Sequence, residues 1–141
     1  MVAKKTNMKK IIWVDDDIKG FSIRAYLDEL IDNNIEVIEI DDPDKFLIDY
    51  ENIEHEGLIM DVMMPTGTKL SHKETNAGLE TGLKLIEIYR EKFKTKKIII
   101  FSILNADNVK SVSRKYNATY ISKTDMTPLE FYEYIQNENT I

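Results

Sequence analysis

The stretch IIWVDDDIKG, residues 11–20, runs a short apolar segment straight into three consecutive aspartates, Asp15, Asp16 and Asp17. On these residues alone two readings stand open. Aspartate caps turns and first helical turns, because its carboxylate accepts hydrogen bonds from backbone amides that have no other partner. Adjacent carboxylates also suit a hard cation, since they repel one another unless something positive sits between them. The rest of the chain decides what stands behind this segment.

Apolar runs of strand length recur five times: KIIWV (10–14), EVIEI (36–40), GLIMDV (57–62), KIIIF (97–101) and TYIS (119–122). The intervals between them are helix-sized. Ile23, Tyr26, Leu27 and Leu30 fall at helical spacing and run out at the turn-forming pair Asn33 and Asn34. Pro43 follows a capping aspartate, and Phe46, Leu47, Tyr50 and Ile53 then share one face. Residues 82–93 carry a wide apolar face that predicts deep burial, whereas 106–116 offers only Val109, Val112 and Tyr116. Thr127, Pro128 and Glu130 spell a capping box that starts a fifth helix. Strand and helix alternating five times predict an α/β fold, a doubly wound five-stranded parallel sheet with helices on both faces.

Composition narrows the classes of function. A length of 141 residues suits one domain, and a net charge of −6 disfavours a general nucleic-acid binder, whose phosphate contacts need a basic face. Without cysteine there is neither a disulfide nor a thiolate metal site. The longest apolar run, KIIIFSIL, is too short to span a bilayer, and the lysine-rich MVAKKTNMKK lacks the apolar stretch of a signal peptide. A cytoplasmic protein is expected, with residues 1–7 as a loose lead-in and 8–138 as the domain.

Parallel strands end at the same edge of their sheet, which is where such folds bind ligands. The residues at those ends are Asp15 and Asp16 after the first strand, Asp61 at the third, Ser102 at the fourth and Lys123 at the fifth. Each has an ordinary use alone, as a turn cap, a small strand residue or a solvated lysine. Together, three carboxylates, a hydroxyl and an amine are the ingredients for handling a phosphoryl group with magnesium.

VDDD after the first strand, MDVMMP at the third, FS at the fourth and YISK at the fifth, in this order and at these separations, resemble the receiver domain of two-component response regulators. The resemblance covers residues 8–138 and implies a flavodoxin-like (βα)5 sheet of order 2-1-3-4-5. It implies that Asp61 is the phosphoacceptor, taking its phosphoryl group from a histidine kinase or a histidine phosphotransfer protein. Asp15, Asp16, Asp61 and the backbone carbonyl of Met63 would hold Mg2+, and Ser102 and Lys123, drawn in on phosphorylation, would stabilise the phosphoryl oxygens. Tyr120 fits the aromatic whose rotamer reports the state. Such a protein catalyses its own phosphorylation and dephosphorylation rather than acting as an enzyme on a separate substrate. With the sequence ending at Ile141, a stand-alone receiver is expected, signalling by contact with an unidentified downstream protein and not with DNA or membrane.

This chain departs from the family pattern at four places. Thr124 follows Lys123 where proline with a preceding cis bond is usual, Ile103 stands where a small residue is preferred, and Met63 and Leu104 are apolar where many members are polar. The fourth is TGTKLSHKETNAGLET, residues 66–81, an insertion whose turn-rich mix predicts a surface loop beside Asp61 on which the core does not depend. His72 within it is expected to be solvated. Two other readings compete. A haloacid-dehalogenase-like phosphohydrolase would use Asp15 and Asp17 together with Ser102 and Lys123, but leaves Asp61 unexplained. A degenerate receiver that binds partners without being phosphorylated fits Ile103 and Thr124, but not the intact acidic set.

Overall fold

Strands buried on both faces read as continuous apolar runs, and those that alternate belong at an edge. The computed structural model describes residues 9–103 and 107–138. In chain order the elements are β1 (Lys10–Val14), α1 (Phe21–Asp32), β2 (Glu36–Ile40), α2 (Pro43–Asp49), β3 (Gly57–Met60), α3 (Thr81–Lys92), β4 (Lys97–Ser102), α4 (Asp107–Lys115), β5 (Thr119–Ser122) and α5 (Pro128–Glu138). All neighbouring strands pair in parallel, in the order β2-β1-β3-β4-β5. β1, β3 and β4, whose interiors are continuous apolar runs, are central, and the mixed EVIEI and TYIS strands are the edges. This is the flavodoxin-like sheet expected from the sequence.

Successive side chains of each strand point to opposite faces, so each strand feeds two cores. On one face Ile12, Val14, Leu58, Met60, Ile98 and Ile100 pack with Phe46 of α2, Leu83, Ile86 and Tyr89 of α3 and Val109 of α4. On the other, Ile11, Trp13, Ile59, Ile99 and Phe101 pack with Ile23, Leu27 and Leu30 of α1 and with Phe131 and Ile135 of α5. Trp13 lies edge-on to Phe101 at a centroid distance of 5.8 Å. In α4 Val109 is the one buried side chain, which matches its thin stripe.

Side-chain caps set the starts of α2 and α5. Thr127 N–H donates to Glu130 Oε1 (2.9 Å) while Glu130 N–H donates to Thr127 Oγ1 (3.2 Å), the reciprocal box that starts α5. Asp42 caps α2 through the Asp44 amide. That helix is shorter than its apolar stripe suggests. It tightens into a 3-10 turn at Tyr50–Asn52, where Tyr50 stacks on Phe46 at 4.9 Å. β3 stops at Met60, so Asp61 and Val62 lie just past it, and β4 runs one residue further than expected, to Ser102. Residues 1–7, Leu104 and the expected start of the fourth helix at Ala106 lie outside the described residues.

The inserted segment forms turns with no strand or helix of its own, yet it is bound closely to the domain. Thr66 and Thr75 are buried and share a 2.8 Å hydrogen bond, and Leu70 packs against the core. The carboxylate of Asp44 accepts from Thr68 N–H (2.8 Å), Thr68 Oγ1 (2.8 Å) and Lys69 N–H (3.0 Å). Its small polar residues pack by hydrogen bonding rather than by apolar periodicity, which is why the sequence reads as a detached loop.

Candidate functional site

The parallel register brings the ends of β1, β3, β4 and β5 to one edge, with Val14 opposite Met60, Met60 opposite Ile100 and Ser102 opposite Ser122. Backbone bonds carry the ladder one residue beyond the strands. Asp15 N–H donates to Ile40 O (3.0 Å), Asp61 N–H to Val14 O (2.9 Å) and Lys123 N–H to Ser102 O (3.1 Å). The site residues are thereby fixed by the sheet rather than by a loop. Behind Asp61, α3 approaches so closely that a Cβ on Gly82 would fall 1.8 Å from the Asp61 carbonyl oxygen, so only glycine fits there.

Asp15 is fully buried, with Oδ1 accepting from Asp17 N–H (2.8 Å) and Oδ2 from the Lys123 ammonium (2.8 Å). Asp61 is 8% exposed; its Oδ1 accepts from Val62 N–H (2.8 Å), its Oδ2 lies 3.3 Å from Lys123 Nζ, and the Ser102 hydroxyl donates to it. Asp16 is exposed. One carboxylate oxygen from each of Asp15, Asp16 and Asp61 lies within 4.8 Å of the other two, a donor set that could hold a metal ion. Hard carboxylate oxygens, one of them exposed and open to water, fit a small divalent cation that keeps part of its hydration.

The electrostatics follow from this crowding. Burial, and then the charge of Asp15, push the Asp61 carboxyl up to about 6 against the opposing pull of Lys123, Val62 N–H and Ser102. Asp16 is raised for the same two reasons in the same order. Burial alone would lower Lys123, but its hydrogen bond to Asp15 and the charge of Asp61 outweigh this and raise it. The expectation that Lys123 stays away until a phosphoryl group arrives is corrected: with Asp15 wholly buried, its charge needs a partner in the resting protein, and Lys123 already bridges both carboxylates.

A cavity of about 420 Å³ opens beside these groups, and its charged lining is Asp16, Asp61 and Lys123, with Ser102. Met63, two residues past Asp61, and Ile103, next to Ser102, also line it. So do Ala77, Gly78 and Leu79 of the insertion, which nothing in their residue types identifies. Tyr120 is half-buried, packs against the core beneath, and donates from its hydroxyl to the Ser102 carbonyl oxygen (3.3 Å). No peptide bond among the described residues is cis; after Lys123 the chain turns through Thr124 N–H donating to Ser122 Oγ (3.3 Å). Tyr26 bonds the carbonyls of Lys123 and Met126 and so pins this turn to α1.

The carboxylate of Asp17 is not among the three that converge. It turns back over Gly20, where a Cβ would fall 2.2 Å from Asp17 Oδ2, so the pairing of Asp15 with Asp17 required by a phosphohydrolase reading is not favoured. His72 is exposed and lies 3.4 Å from Thr66 Oγ1, away from the cavity lining.

No protein-family model matches the sequence, and no curated protein matches it. Solved structures do. The response regulator receiver domain protein (CheY-like) from Methanospirillum hungatei aligns with a TM-score of 0.73 at 21% identity, over 95% of this chain and 95% of that one. Chemotaxis protein CheY4 of Vibrio cholerae aligns at 0.69 and 22% identity, over 92% of this chain and 98% of that one. The BeF3-activated receiver domain of DrrB, from Thermotoga maritima, aligns at 0.68 and 18% identity, over 92% of this chain and 96% of that one. At these identities the likeness establishes the fold: the architecture is that of receiver domains.

Proposed function

We propose that this chain, folded as response-regulator receiver domains are, accepts a phosphoryl group on Asp61 from a histidine kinase or a histidine phosphotransfer protein and signals by protein contact. The observation that carries the reading is the convergence of a buried Asp61 with two further carboxylates, Ser102 and Lys123 at the open edge of a parallel sheet. The BeF3-activated state of the DrrB receiver domain supports it, since BeF3 is a phosphomimetic.

In the transfer, a carboxylate oxygen of Asp61 bonds to phosphorus as the P–N bond of the donor phosphohistidine breaks, and the electron pair of that bond stays on the imidazole nitrogen. At pH 7 a carboxyl with a pKa of about 6 is mostly ionised and therefore nucleophilic. Mg2+ held by Asp15, Asp16, Asp61 and the backbone carbonyl of Met63 would supply positive charge to the oxygens of the transferred group. Lys123 exchanges a carboxylate oxygen for a phosphoryl oxygen without leaving the site, and Ser102 donates to another. The product carries close to two negative charges where the ionised carboxylate carried one, spread over three phosphoryl oxygens that accept hydrogen bonds. Moving the domain from nearly all resting to nearly all active takes about 5.5 kcal/mol of differential contact, within reach of a few charge-assisted hydrogen bonds. Tyr120, bonded to the Ser102 carbonyl, is placed to follow any shift of the β4 end.

The test is incubation with Mg2+ and acetyl phosphate, followed by intact mass. The acceptor reading requires a phosphoryl adduct that hydroxylamine removes and that Asp61→Asn lacks. A degenerate receiver gives no adduct at all.

A further inference from the structure

The insertion is held from three sides. Asp44 at the start of α2 binds the amides of Thr68 and Lys69, Met64 N–H donates to Gly78 O (3.1 Å) while Thr81 Oγ1 donates to Met64 O (2.7 Å), and Glu80 bonds Asn108 of α4. Between these anchors, Asn76 and Ala77 take left-handed backbone conformations (φ 53° and 56°), which side chains with a Cβ rarely adopt unless their surroundings hold them there. Gly78 follows at φ +93°, with the Met64 carbonyl oxygen only 3.0 Å from where a Cβ would stand. The result is a segment tied to the domain on three sides that places Leu79 at the cavity containing Asp61.

Leu79 is 50% exposed, Ile103 66% and Met63 38%, and all three line that cavity. An acidic pocket is thus bordered by apolar side chains that offer no hydrogen bond to anything passing them. We propose that residues 66–80 form a fixed wall of the acceptor pocket, and that Leu79 at its rim is a specificity-determining residue that restricts passage of water and small phosphodonors to Asp61. This rests on the acceptor reading above. Two reactions feel the restriction. In labelling by acetyl phosphate, an Asp61 oxygen bonds to phosphorus while the bond from phosphorus to the acetyl oxygen breaks and acetate leaves with the electron pair. In hydrolysis, the oxygen of water bonds to phosphorus, the bond to Asp61 breaks with its pair returning to the carboxylate, and both water protons leave on inorganic phosphate. Each needs its incoming group in line with the breaking bond, and a crowded, apolar mouth admits that alignment rarely.

The experiment is a size series at one position, Leu79→Ala, Leu79→Met and Leu79→Phe, in the full chain with Mg2+. Labelling by acetyl phosphate and decay of the adduct after donor removal are timed for each, with thermal unfolding by circular dichroism alongside. The alanine variant should accelerate both reactions by up to about tenfold, equivalent to about 1.4 kcal/mol, methionine should match the wild type, and phenylalanine should slow both. Rates that do not change across the series overturn the proposal, as do alanine and phenylalanine moving the same way, which would mark Leu79 as packing only. A wild type that takes no label at all overturns the acceptor reading and this inference with it, and is distinguishable from a labelled series without a size trend.

Discussion

Removing the charge of Asp61 should stabilise the fold when no divalent cation is present. A carboxyl raised from its ordinary 3.8 to about 6 is ionised at pH 7.5 at the expense of about 3 kcal/mol relative to the unfolded chain. That penalty is already net of the repulsion from Asp15 and the attraction of Lys123, so Asp61→Asn, which removes the charge, should gain up to about 3 kcal/mol. The sign is set by proton uptake. Between pH 4 and 6 the folded wild type binds a proton that the unfolded chain has lost, so its stability falls across that window as pH rises. The difference between wild type and Asp61→Asn should therefore vanish below pH 4 and be complete above pH 7. Urea unfolding in chelator, followed by the fluorescence of Trp13, the single tryptophan and fully buried, measures it at each pH. An Asp61→Asn protein no more stable than the wild type at pH 7.5 would refute the reasoning.

Mg2+ at 100 times its dissociation constant should stabilise the wild type by about 2.7 kcal/mol; the Asp16→Ala variant should lose most of this, and an unchanged response would remove Asp16 from the ligand set. His55 donates from Nδ1 to Ile53 O (2.7 Å), which leaves Nε2 to accept from the Tyr89 hydroxyl (2.8 Å). Burial, aided by Lys96 and only partly offset by the bond to Ile53, lowers its pKa below 6.5, so its contribution is present above pH 6.5 and is lost as pH falls through the folded value. Its ring proton signal in NMR should titrate below pH 6.5, and titration at or above that value would contradict the neutral assignment. Replacing residues 69–79 by a short Gly-Ser linker should lower stability by about 1–3 kcal/mol, because it leaves buried Thr66 without its Thr75 partner. Equal urea midpoints would show that the insertion is merely appended.

The sheet was legible because burial on both faces leaves apolar runs that need no periodicity to be seen, as in KIIIF and GLIM. The site residues were legible for a related reason: in a parallel sheet, position along the chain converts directly into position at one edge. That logic placed Asp15, Asp61, Ser102 and Lys123 together without any knowledge of contacts. It was silent on side-chain state. Whether Lys123 waits outside or already bridges depends on Asp15 being wholly buried, with its backbone amide bonded to Ile40 at the end of β2 and its carboxylate to Asp17 and Lys123, none of which the sequence displays. The wall at 77–79 was equally hidden. Ala77, Gly78 and Leu79 carry no chemical signature, and the bonds that hold their segment run from Thr68 and Lys69 to Asp44, from Met64 to Gly78 and from Asn108 to Glu80. Gly82 looked like an ordinary helix-start residue, whereas the contact that demands glycine is the backbone of Asp61 itself.

As proposed, Asp61 and no other carboxylate of the acidic trio carries the phosphoryl group. After labelling with acetyl phosphate and Mg2+, borohydride reduction converts an aspartyl phosphate to homoserine, and peptide mapping by mass spectrometry then reads the modified position. Homoserine should appear at position 61 alone. Modification at position 15 or 16, or an unmodified protein that nonetheless consumes acetyl phosphate, would contradict it.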